Sequence, residues 1–362
     1  MRIGVVTFWQ SADNFGQILQ GYALQRALKA MGNAPVLIRT ERDQSSLPFS
    51  RKIKLFIHGF FHLPYLGSGG KKIRCFQKKY LSCSKKIYKS KGDFQPSDLT
   101  YEAVICGSDV VWSEGVGCGE YGELNFLSFV PKPIKKISYA ASFGALSLSK
   151  EFSEFVKDKI FDFDAISVRE DSGIDICSRL GRSDAVSVCD PTLLLKKEDY
   201  DTLLSPDRRK RSFAYFIGWP TDIPEKEIIE YTLRKKIHYD RLDCQKSKKT
   251  LKSVFSKKKT IQDWLASYSS ADCIYTNSFH GTIFALLFNK PFLFFPVKGK
   301  AQQLNDRILN LLKKTDLLDR VWNPNMSIQE QMEQPIDWNR VNLAVGKWRT
   351  FSYDWLKNAL EL

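Results

Sequence analysis

Histidine is scarce in this sequence, four in 362 residues, and the eight cysteines contain no CxxC pair. A tetrahedral zinc site draws on clusters of those two residue types, so no metal site is expected. Cys106, Cys189 and Cys273 sit inside apolar runs, where a thiol packs as a small hydrophobe, and the cysteines read as inert or structural. Long apolar runs are also missing. The longest, residues 283–297, is broken by Asn289, Lys290 and two prolines, short of the roughly 20 residues a bilayer span requires. Met1 to Val6 is too brief an apolar stretch for a signal peptide and reads as a first strand, which leads us to expect a cytoplasmic protein. Acidic residues are absent from Arg51 to Lys91, where twelve basic residues occur.

What is present is a globular composition, 43% hydrophobic and 26% charged, with aromatics at 13%. The length predicts two domains. The net charge of +15 favours an anionic partner. It is concentrated in residues 51–91 and again in 234–259, which ends in Lys257, Lys258 and Lys259. A β-rich run at 3–9, the loop SADNFGQ, helical spacing through Ile18, Tyr22, Leu24, Leu28 and Met31, and the strand APVLI at 34–38 make a βαβ unit, the start of a parallel sheet. Strands follow at 103–107 and 136–144, a helix and strand at 151–170, and a strand at 185–195. The second half repeats the alternation with strands at 211–219, 272–278 and 291–297 and helices from about 224, at 260–271, 279–289 and 301–313. The pattern predicts an α/β protein of two Rossmann-like domains facing a cleft: residues 1–193 with a basic insertion at about 45–98, residues 194–340, and a C-terminal helix at 341–362 able to cross back. Ligands of such sheets bind at strand C-termini.

Candidate site residues gather at those strand ends. His280 lies where a strand turns into a helix, a place that favours anions, and Gly281 beside it permits close backbone approach. Lys298 and Lys300, just beyond the next strand, return to the same edge of the sheet. Arg169 follows the strand AISV and can bind a carboxylate or phosphate as a fork, or pair with Glu170 or Asp171. Gly107, Ser108 and Asp109 end a third strand, and Asp13, Asn14 and Gln17 belong to a fourth loop.

The blocks TFWQSADNFGQILQGYALQ, VICGSDVVW, SVREDSG, CDPTLLL and TNSFHGTIFALLFNKP, in that order over about residues 1–310, resemble the bacterial polysaccharide pyruvyl transferase family. The resemblance implies a GT-B-like fold and transfer of pyruvate from phosphoenolpyruvate, the co-substrate, onto two hydroxyls of a sugar as a ketal, with no further cofactor. It implies His280 as the catalytic histidine, Arg169 as the donor-binding arginine and Lys300 as the cleft lysine. Many members carry a basic residue two positions before the histidine. Here Ser278 stands there, so Lys298 is the substitute cation, with Ser278 and Gly281 completing the donor side in the C-terminal domain. Asp13 or Asp109 would orient or deprotonate the acceptor hydroxyl, and Asn14, Gln17 and Ser108 would contact the acceptor in the N-terminal domain. The chemistry suits the residue types, because an imidazole with an ordinary pKa near ~6.5 can carry the proton that activates the enol.

Two rival readings exist. One is a nucleotide-sugar glycosyltransferase of the same architecture. The other is a non-catalytic binder of nucleic acid or acidic polysaccharide, using the aromatics Phe56, Phe60, Phe61, Tyr65 and Tyr80 among the cations of 51–91. The transferase reading expects no nucleic-acid partner. Within it, IKLFIHGFFHLPYLG, residues 53–67, either lies on an anionic membrane at the cytoplasmic face, beside a lipid-linked saccharide, or packs its aromatics on the N-terminal domain.

Overall fold

The computed structural model describes residues 1–11, 14–43, 68–206, 209–244 and 259–361. The stretch 53–67 for which a membrane contact is one expectation, Asp13, and most of the second basic run lie outside them. The chain divides into two compact units. One comprises Met1–Ala12, Gln17–Leu194 and Arg349–Leu362; the other comprises Asp13–Gly16 and Leu195–Trp348.

The first unit is built on seven strands: β1 (Arg2–Val6), β2 (Ala34–Thr40), β3 (Cys83–Tyr88), β4 (Ala103–Cys106), β5 (Lys135–Ala141), β6 (Ala165–Val168) and β7 (Val186–Ser187). Its helices of nine or more residues are α1 (Phe15–Ala30, whose first two residues group with the other unit), α2 (Ser68–Tyr80), α3 (Lys150–Phe161) and α4 (Asp171–Arg179). The strands run in the order β3-β2-β1-β4-β5-β6-β7, every pairing parallel. This is the Rossmann order, which reverses direction between β1 and β4. Strands covered on both faces should be apolar throughout, and β4 and β6 are buried at every position. Trp112 anchors the core beneath, stacked on Phe126 with ring centres 5.1 Å apart.

The second unit holds β8 (Arg211–Ile217), α5 (Glu225–Arg234), β9 (His238–Cys244), α6 (Ile261–Ser269), β10 (Ala271–Thr276), α7 (Phe279–Leu287), β11 (Phe292–Phe294), α8 (Asp306–Lys314) and the start, to Trp348, of α9 (Trp338–Glu361). Its parallel sheet has the order β11-β10-β8-β9, which reverses between β8 and β10. Helix α7 is buried at all nine positions, as its apolar sequence on every side requires. The far end of α9 returns to the first unit. There Ser352 Oγ accepts the Cys189 backbone N–H at 2.9 Å, Arg349 donates to the Leu193 carbonyl at 2.5 Å, and Trp355 lies 6.3 Å from Tyr139.

The α/β class and the two parallel sheets are those the sequence predicts. Three local expectations need correction. Residues 68–88 of the supposed basic insertion are α2 and edge strand β3, so this part belongs to the sheet. Tyr80, part of the stacking platform in the rival binder reading, packs against Phe76 and Tyr22 at 4.7 and 6.1 Å. The strand expected over 185–195 is two residues long, because Pro191, with its fixed φ, starts a helical turn at Pro191–Leu194. All eight cysteines are free, and burial pushes the thiols of Cys177 and Cys189 up to about 12. Among the described residues no helix is long and apolar enough to cross a membrane.

Candidate functional site

In the first unit the ends of β4, β5 and β6 and the turn after β7 converge on one buried charge cluster. Arg169 follows β6 directly, and its backbone N–H donates to Ala141 of β5. Its guanidinium faces Asp190 at 3.3 Å, Asp109 at 3.5 Å and Glu170 at 3.6 Å, with 1% of its surface exposed. Burial works to lower its pKa, but the carboxylates, Asp109 foremost, outweigh it and hold it above the ordinary guanidinium value. The carboxylates are themselves held. Ser108 Oγ donates to Asp190 at 2.8 Å, Thr192 donates to the same carboxylate through its backbone N–H and its hydroxyl, and Ser142 donates to Glu170 at 2.6 Å.

Of the two roles the sequence leaves open for Arg169, anion fork or ion pair, the structure displays the ion pair, with Asp109 and Asp190 beside Glu170. Ser108 is fully buried with its hydroxyl on Asp190. Asp109 stays at the switch point of the sheet. Its φ of 79° is the left-handed region that a non-glycine residue occupies at a cost, sustained only where the surroundings over-determine it. Its carbonyl accepts from Ser142 and its carboxylate from the Val110 N–H, which fixes the turn. Near the ends of β1 and β2, a shallow cavity of about 180 Å³ is lined by Phe8, Trp9, Gln10, Glu41, Arg42 and Tyr121. The indole N–H of Trp9 donates to the Thr40 carbonyl, so this wall is fixed to the sheet.

In the second unit the site forms where β10 turns into α7, at that sheet's own switch point. Ser278 caps the helix, its hydroxyl accepting the Gly281 N–H at 3.2 Å. Asn277 is buried and ties the turn to β8, accepting from the Ile217 N–H and donating to the Ile217 carbonyl and to Thr221. Thr276 Oγ donates to the Tyr215 carbonyl and accepts the Ser278 N–H. His280 stands in the first turn of α7, 5% exposed, its ring edge-on to Phe279. A Cβ added at Gly281 would come within 3.0 Å of Thr276 Oγ1 and the Tyr268 hydroxyl, so the first turn of α7 is pressed onto β10. A Cβ added at Gly16, likewise within this unit, would come within 3.0 Å of Cβ, Cγ and Nδ1 of His280.

Lys300 is exposed in the 3₁₀ stretch Gly299–Asn305. Lys298 is exposed and ion-paired with Asp222, so a donor would have to compete with that carboxylate. Asn14 and Gln17 are half-buried, and Asp13 lies outside the described residues. The sequence reading missed Asp190, Asn277 and Gly16. Asp190 and Asn277 sat within recognised blocks, at turns directly after strands. Gly16 also sat within a recognised block, in the loop SADNFGQ, where Asn-x-Gly reads only as a generic turn.

The family model described as "Polysaccharide pyruvyl transferase" matches residues 14–299. Among curated proteins none matches the chain. Among solved structures, the chain is similar to UDP-GlcNAc 2-epimerase from Methanocaldococcus jannaschii (TM-score 0.47, 11% identity, covering 96% of this chain and 92% of that one). It is similar also to a putative UDP-N-acetylglucosamine 2-epimerase from Listeria monocytogenes (0.48, 7%, 96% and 90%). A third is UDP-GlcNAc 2-epimerase from Neisseria meningitidis (0.46, 9%, 99% and 100%).

Proposed function

The chain belongs to the polysaccharide pyruvyl transferase family, and from that premise we propose that it moves pyruvate from phosphoenolpyruvate onto two hydroxyls of a sugar. The sugar belongs to a capsular, exocellular or wall polysaccharide, or to its lipid-linked precursor. The product is a cyclic ketal and inorganic phosphate. A proton added to C3 of the enol makes C2 an oxocarbenium-like electrophile. One sugar hydroxyl adds to C2 and gives up its proton, the C2–O bond to phosphate breaks with the electron pair leaving on phosphate, and the second hydroxyl adds to C2, closes the ring and loses its proton to the departing phosphate.

The observation that carries this reading is the placement of His280 in the first turn of a buried helix, at the switch point of its sheet. In the proposed reaction its imidazole brings the proton to C3. The chain segment after β11 presents Lys300 and Lys298 with a glycine between them and no acidic residue. That suits a small donor carrying a phosphate and a carboxylate better than the ribose of a nucleotide sugar. Ser278 and Gly281 set the helix turn that donor would meet.

Acceptor binding is assigned to the first unit. The cavity walled by Trp9, Glu41, Arg42 and Tyr121 combines an aromatic surface with a carboxylate and a guanidinium. Such a set receives the apolar face of a pyranose and hydrogen-bonds paired hydroxyls. At about 180 Å³ it is smaller than the roughly 300–1,000 Å³ of a drug-sized pocket, the order of a single sugar ring. The acceptor proton is given to the carboxylate of Asp109, which also faces Arg169. The test is release of phosphate from phosphoenolpyruvate with a panel of methyl hexopyranosides: release should depend on the sugar, and release without sugar rejects the reading.

A further inference from the structure

Gly16 occupies the second position of α1, and its backbone is not in the left-handed region, so no dihedral requirement excludes alanine there. Alanine is the better helix former. The glycine therefore answers to something outside its own helix, and that is the imidazole of His280. The atoms a Cβ would strike are the ring and Cβ of a side chain rooted in a wholly buried helix, not the loose end of a flexible chain.

Neither partner has room to withdraw. Phe15, buried beside Gly16, packs 5.8 Å from Trp264, and Trp264 lies 5.0 Å from Phe284, one turn beyond His280 on α7. The anchor of the glycine and the ring it faces are thus tied to one helix. Behind that helix, there is no space for even a Cβ at Gly281, which would come within 3.0 Å of Thr276 Oγ1 and the Tyr268 hydroxyl.

We propose that Phe15 and Gly16 form a seat for the His280 imidazole and act as positioning residues for its proton transfer, an inference that rests on the reading of His280 as proton donor. Glycine lets the backbone of 15–16 close against the ring, and Phe15 holds it there. Proton transfer needs near-contact alignment, and a displacement of about 1 Å can cost 10²-fold.

The experiment compares wild type, Gly16→Ala, His280→Ala and the double variant. Its readouts are phosphate release from phosphoenolpyruvate with the methyl hexopyranoside panel, urea unfolding, and the NMR signals of the His280 ring. Gly16→Ala should lower kcat at least tenfold, leave KM for phosphoenolpyruvate within threefold, shift the ring signals and lower the urea midpoint. In the His280→Ala background the same substitution should leave the midpoint unchanged or raise it, because the obstructed ring is gone. An equal loss of stability in both backgrounds, or kcat of Gly16→Ala within twofold of wild type, overturns the seat. If Gly16→Ala does not fold, the double variant should; if that also fails, Gly16 guards something other than the imidazole and the seat is rejected. Full turnover by His280→Ala would reject the proton-donor reading instead, and the unfolding comparison would still decide the contact itself.

Discussion

Arg169 shows how a residue's neighbours decide what its charge does. A guanidinium at a strand end is a ready anion fork by sequence, yet three carboxylates contributed by three different strand ends occupy it here. Those acids come from positions 60 and 21 residues away as well as from the next residue, so the sequence alone gave no account of how many would converge. Removing the cation would strand carboxylates in a dry interior, which typically costs about 3–5 kcal/mol. Arg169→Met should therefore lower the unfolding free energy by that order, read in urea; a loss under about 1 kcal/mol would mean that water enters the cluster. Gly16 marks the same limit from the other side. Glycine at a helix start reads as a weak former costing ~1 kcal/mol against alanine, and only the structure shows the ring it makes room for. His280, Lys298, Lys300 and Asp109 were legible as residues at strand ends, since that needs only the alternation of strands and helices.

The strands that escaped the sequence are edge strands. β3, with the sequence CSKKIY, and β9, with HYDRLDC, lie at the rims of the two sheets within or beside the basic runs. Central strands β1 and β4 are buried on both faces and announce themselves as apolar runs. An edge is protected by charge, especially lysine, and the exposed Lys85 and Lys86 on β3 fit that role. The ion pairs of Arg241 with Asp243 and Glu225 similarly clothe β9. What blurs the strand pattern is thus what keeps the sheets from pairing with other chains. The end of α9 was legible as a helix from its spacing, but its partner was not. Ser352 supplies the acceptor for the buried Cys189 N–H, and removing one partner of a buried hydrogen bond costs about 1–3 kcal/mol. Ser352→Ala should lose that much in urea unfolding. An unchanged midpoint would mean that the α9 end is dispensable to the first unit.

At the scale of the whole molecule, each unit carries its candidate groups at its own switch point, and the proposed chemistry divides between them. In the proposed reading, holding the acceptor falls to the first unit and handling phosphoenolpyruvate to the second. Glu41→Gln keeps the shape of the cavity wall and removes a charge-assisted hydrogen bond. Its loss, at about 1.5–3 kcal/mol, corresponds to roughly a 10–100-fold rise in acceptor KM, with KM for phosphoenolpyruvate unmoved. A rise in the donor KM alone would place the acceptor elsewhere. The most direct measurement is phosphate release from phosphoenolpyruvate by wild type and His280→Ala, with and without sugar, alongside detection of the ketal. The account predicts sugar-dependent release, one phosphate per ketal, and a fall of about 10²–10⁴-fold in the folded variant. Activity of His280→Ala within a few-fold of wild type, or phosphate released without a ketal, would contradict it.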